Sequence, residues 1–228
     1  MAKRLGFLTV SLVVVGLGAS SAVALDPLGP PTAGLEKGQF SAGLEYFYED
    51  TDIQMANTTV LGGAVPTFEM DVDEQMVTAN IAYGLTDAWE AFVRIGAEVD
   101  GEADGTSPFA GPVSFDGDAS FVIGLGTRIT LYQQDKLKCG ALFQVAWSKT
   151  EGDITWVGPK SNVDVKTVEV GIAVGPTYEL TDQISIYGGP FAYILNGEVD
   201  GNLAGAPLSQ DIEQVSALGG YVGALDRY

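Results

Sequence analysis

Residues 121–147 read FVIGLGTRITLYQQDKLKCGALFQVAW, and their alternation decides the fold. Phe121, Ile123, Leu125, Thr127, Ile129 and Leu131 fall on one side of an extended chain. Gly124, Gly126, Arg128 and Thr130 fall on the other. After Gln133-Gln134-Asp135-Lys136 the period resumes, with Leu137, Cys139, Ala141, Phe143, Val145 and Trp147 facing one way. Lys138, Gly140, Gln144 and Ser148 face the other. Side chains of a strand point alternately to opposite faces. The stretch therefore reads as two one-sided strands joined by a tight turn.

The same period of two recurs outward from this hairpin. It is clear over 89–99 and 168–180, and weaker over 40–48, 77–85, 184–195 and 215–225. Eight strands are expected. Their connections alternate in length: short at 84–88, 133–136 and 179–183, long at about 49–74, 98–118, 151–164 and 198–213. Short turns at one end and long loops at the other describe a transmembrane β-barrel. The non-apolar faces are rich in Gly, Ala and Thr, which suits a narrow interior better than a solvated surface. Tyr46, Tyr48, Tyr83, Trp89, Tyr132, Trp147 and Tyr178 stand near strand ends, where interfacial girdles belong. The competing reading is a soluble β-sandwich exported to the periplasm.

Residues 1–24 carry Lys3 and Arg4, an apolar run from Leu5 to Leu17, and Ala22-Val23-Ala24, the pattern of a cleaved export signal. Residues 25–37, with Pro27, Pro30 and Pro31, read as an extended lead-in, and 38–228 as the barrel. The chain resembles small Gram-negative outer-membrane β-barrel proteins of the OmpA-type and porin-like class. The resemblance rests on the signal, the alternation, and the turns Tyr83-Gly84-Leu85-Thr86-Asp87 and Tyr178-Glu179-Leu180-Thr181-Asp182. It implies insertion by the outer-membrane assembly machinery, surrounding lipid and lipopolysaccharide, periplasmic turns and external loops. Asp226, close to the terminal Tyr228, departs from the expected closing strand. A ten-stranded form in relatives stays open on that ground.

The charges narrow the function. The 228 residues hold 11 Lys+Arg, 30 Asp+Glu, one Cys and no His, a net charge of −19. Such acidity repels nucleic acid. The missing histidine removes the commonest general base, so no enzymatic activity is expected. Glu45, Glu90, Arg94, Glu98, Arg128, Lys138 and Glu169 lie on the predicted inner faces and form a candidate lumen charge network. The long loops are acidic, and 49–74 and 98–118 contain no Lys or Arg. Asp100, Glu102 and Asp104 are the candidate Ca²⁺ or Mg²⁺ ligands, though the spacing is not that of an EF-hand. No other cofactor is indicated. The leading expectation is a structural or weakly conducting barrel with a narrow charged lumen. The alternatives are a cation-preferring diffusion porin and a Ca²⁺-dependent surface-binding protein.

Overall fold

The computed structural model describes residues 30–60, 63–64, 66–108, 111–118, 120–156, 160–181, 183–203, 206–214 and 218–226. The expected export signal, the start of the lead-in and Tyr228 lie outside them, as do the side chains of Glu45, Tyr48 and Asp100. The regular elements among the described residues are all strands: β1 (Phe40–Val60), β2 (Gly63–Ala64), β3 (Phe68–Thr86), β4 (Trp89–Ser107), β5 (Gly111–Gly117), β6 (Ser120–Gln134), β7 (Leu137–Thr155), β8 (Ser161–Glu179), β9 (Ile184–Leu203), β10 (Ala206–Gln214) and β11 (Leu218–Asp226).

These strands make one antiparallel up-and-down barrel of eight staves. β5 and β6 act as one stave, since both pair with β4 and β7. β10 and β11 share the last, both pairing with β9. β10 also pairs with β1, from Ile53 opposite Gln214 to Val60 opposite Leu208, and this closes the ring in the hairpin half. Closure there satisfies the backbone donors and acceptors that an edge would leave open. The eight expected strands are therefore present, and in the hairpin half they close into a ring.

The expected long loops are a different matter. Most of residues 49–74, 98–118, 151–164 and 198–213 is strand, continuing the staves well past the apolar belt. The reason is an inversion of the alternation along each strand. On β3 the outward residues run Glu69, Asp71, Asp73 and then Val77, Ala79, Ile81 and Tyr83. The inward ones run Phe68, Met70, Val72 and then Thr78 and Ala82. Near the short turns the barrel is apolar outside, as lipid requires. Toward the hairpins it is acidic outside and apolar inside, as water requires. The period of two persists while its polarity reverses.

The apolar belt includes exposed Ile81, Ile95, Leu125, Phe143, Ile172 and Ile194. On β9 it runs from Ile184 to Ile194. At about 3.3 Å per residue and a tilt of about 40°, that span covers about 25 Å, the height of an outer-membrane apolar band. Inside, an apolar cluster fills the hairpin half, with Met55, Phe68, Met70, Ile154, Trp156 and Leu208 among its members.

Candidate functional site

The short-turn end of the barrel is occupied by the chain's own residues 30–38. Pro31 and Thr32 are fully buried there, and Ala33 nearly so. Four barrel side chains hold them. The Ala33 N–H donates to Thr130 Oγ1 (3.1 Å), the Gly34 N–H to Glu90 Oε2 (2.9 Å) and the Lys37 N–H to Asp87 Oδ1 (3.0 Å). Thr32 Oγ1 donates to Thr177 Oγ1 (3.0 Å). The wall makes room with glycine. A Cβ on Gly84 would stand 2.1 Å from the Glu36 carbonyl oxygen, and one on Gly140 would stand 2.7 Å from that of Pro31. Only a residue without a side chain admits the segment so closely.

Above this segment lies a buried ion pair. Arg128 Nη1 donates to Glu90 Oε1, while the second oxygen of Glu90 receives the Gly34 N–H. The Arg128 guanidinium also sits 4.5 Å from the centre of the Phe92 ring. A buried charge is tolerated when paired and hydrogen-bonded, and this pair has both supports. Alternation places Glu90 and Arg128 on adjacent staves, and the register sets them directly opposite.

Further toward the hairpins is a cavity of about 140 Å³. Its upper walls are apolar and include Met55, Met70, Ile154, Leu195, Val199 and Ile212. An apolar cavity of about 150 Å³ is large enough for benzene. The end nearer the short turns is polar, with Glu74, Arg94, Glu98 and Glu169. Glu98 accepts hydrogen bonds from Ser120 Oγ (2.7 Å) and Thr150 Oγ1 (2.9 Å). The bulge that sets Val99 outside the β3–β4 register brings Glu98 against Gly101, whose added Cβ would lie 1.8 Å from Glu98 Oε1. At the hairpin end, Phe68 and Trp156 pack edge to face with ring centres 5.7 Å apart.

The predicted lumen charges thus divide. Glu90 and Arg128 pair beside residues 30–38, and Arg94, Glu98 and Glu169 line the cavity. Lys138 pairs with Glu179 (2.9 Å) apart from both groups. The backbone of Glu45 stands opposite Thr78 in the β1–β3 register. Glu74 and the apolar walls were missed, although Phe68-x-Met70-x-Val72-x-Glu74-x-Met76 carries a legible period of two. The acidic outward face of this stretch gives it the composition of a loop while its inward face keeps the strand period.

Glu102 and Asp104, two of the candidate metal ligands, stand exposed on β4, and the backbone of Asp100 belongs to the same strand. Among the described residues, no three His, Cys, Asp or Glu side chains gather as a metal site. Instead, the register opposes like charges. Asp71 faces Asp104, and Asp73 faces Glu102, which faces Asp116, which faces Asp153. Lysines bridge part of this surface: Lys160 reaches Asp116 (3.2 Å), Lys166 reaches Asp200 (3.3 Å), and Lys149 reaches Glu151 (2.9 Å). The last contact raises the proton affinity of the Lys149 amine, chiefly through its hydrogen bond to Glu151.

No protein-family model matches the chain, and no curated protein does. Among solved structures, the outer membrane protein OprG from Pseudomonas aeruginosa is 12% identical, with 84% of this chain and 96% of OprG covered and a TM-score of 0.52. The outer membrane protein AlkL, solved in lipid bilayers, is 17% identical over 83% of this chain and 92% of its own, with a TM-score of 0.46. The closed eight-stave ring, its apolar outer belt and the likeness to OprG together give this chain the fold of a small outer-membrane β-barrel.

Proposed function

We propose that the chain is an integral outer-membrane barrel that admits a small apolar molecule from the outside while its periplasmic end stays closed. The single observation that carries this reading is the apolar cavity in the hairpin half. In the proposed orientation the short turns and residues 30–38 face the periplasm, and the acidic hairpins face outward among lipopolysaccharide. Assembly machinery and outer-membrane lipid are the partners that this placement requires. Export by a cleaved signal belongs to the same reading. Conduction of ions is weak, because residues 30–38 and the Glu90–Arg128 pair occupy the path below the cavity. The role is non-catalytic on the chemistry available, since the sequence holds no histidine to act as general base.

The test is fluorine NMR of fluorobenzene with the protein in lipid nanodiscs. Saturable binding is expected, lost in Leu195→Trp, which fills the cavity. Partition that never saturates and is identical in empty nanodiscs overturns the reading.

A further inference from the structure

We infer that the cavity selects small amphiphiles with a positive charge at one end, of the alkylammonium or arylammonium class. This rests on the apolar cavity proposed above and adds the charge of its ligand. The walls and the polar end make different demands. Met55, Met70, Leu195 and Ile212 offer a hydrocarbon surface about one ring or one short chain across. The polar end sets three acids, Glu74, Glu98 and Glu169, beside one guanidinium, Arg94. Burial, with Glu98 and Glu169 close by, pushes Glu74 up to about 8, so at neutral pH it is mostly protonated and two carboxylates face one guanidinium.

Glu98 is 8% exposed and Arg94 2%. Ser120 and Thr150 donate to one oxygen of Glu98, an arrangement that favours the charged carboxylate. An excess of negative charge inside an apolar cavity is costly unless a cation accompanies it or an acid takes up a proton, as Glu74 does. An ammonium group at that end would supply the missing charge while its hydrocarbon body lies against the walls. A carboxylate ligand of the same length meets repulsion from the same acids, and a neutral alcohol meets neither effect.

The approach has the same sign. Asp71, Asp73, Glu102 and Asp104 are exposed around the hairpin half, on segments without Lys or Arg. Such a surface raises the local concentration of cations and lowers that of anions, over a range of about 10 Å at 0.1 M salt.

Calorimetry in lipid nanodiscs compares hexylammonium, 1-hexanol and hexanoate, each corrected for partition into empty nanodiscs. Hexylammonium should bind about ten-fold more tightly than hexanol, and hexanoate more weakly than hexanol. The amine's advantage should shrink as salt is raised. Glu169→Gln, and separately Glu98→Gln, should narrow the gap between amine and alcohol. Gel mobility before boiling shows whether each variant still closes as a barrel. Equal binding of amine and alcohol to the wild type, or a gap that survives both substitutions in closed barrels, overturns the charge selection and leaves the apolar cavity standing. Failure of all three ligands and of fluorobenzene overturns the cavity reading itself.

Discussion

Glu90 serves two partners with its two oxygens. One holds Arg128 and the other holds the backbone of Gly34, so a single side chain ties the wall to the segment that closes it. Glu90→Ala should therefore act twice. It leaves the Arg128 charge buried without its counter-ion, a loss of about 3 kcal/mol, readable as a lower denaturant midpoint in detergent. It also removes the anchor of Gly34, so bilayer conductance should rise. Glu90→Gln keeps an acceptor for Gly34 and should separate the two effects: destabilised, yet with little added conductance. Equal conductance in wild type and Glu90→Ala would remove residues 30–38 from the conduction path. Of this arrangement, the pair was legible, because Glu90 and Arg128 fall on inner faces of one-sided strands. The partner Gly34 was not, because Pro30-Pro31-Thr32-Ala33-Gly34 has no periodicity, and its fit depends on Gly84 and Gly140 far along the chain.

At the scale of the element, the strands do more than cross a membrane. The tight turns and the belt positions were legible, because alternation and turn composition report them locally. The outer halves were not, because an acidic outward face resembles a loop in composition while obeying the strand period. β3 shows this within one element: Asp71 and Asp73 face out near one end, Ile81 and Tyr83 near the other. The pairing from Glu49 opposite Glu74 through Met55 opposite Phe68 extends the β1–β3 ladder beyond the belt. Hydrogen exchange should find the amides of 68–76 and 101–107 protected for much longer than those of open loops. Exchange as fast as in an unstructured peptide would return these stretches to loops. A strand reading is also what makes the cavity: without the inward Phe68, Met70 and Val72, the hairpin half has no wall on that side.

For the whole molecule, the ring and the net charge of −19 oppose each other. Neighbouring strands bring Asp73, Glu102, Asp116 and Asp153 into successive opposition along the wall. Like charges directly opposite across strands are destabilising. Divalent cations are the natural counter-ions for exposed carboxylates held this way, without requiring one dedicated site. Millimolar Mg²⁺ or Ca²⁺ should raise the temperature at which the fast-migrating, unboiled band is lost on gels, beyond the effect of Na⁺ at matched ionic strength. No difference between divalent and monovalent salt would show that the lysine bridges and water already suffice. The eight-stave architecture itself was legible from the count of strand segments and the alternation of short and long connections, although 184–195 is apolar on both faces and 215–225 has no clear polar side. The closing register between β1 and β10 was not, since it joins segments that share no local signal.

The seating of residues 30–38 also imposes an order of assembly. Thr32 rests on Thr177, 145 positions later in the chain, and Ala33 on Thr130, 97 positions later. These anchors belong to separate hairpins that must already stand side by side before the segment has anywhere to sit. Residues 30–38, though early in the chain, thus find their seat only once those hairpins are in place. Their docking records that the sheet has already curled round, so an incomplete cylinder and a finished one differ at the short-turn end.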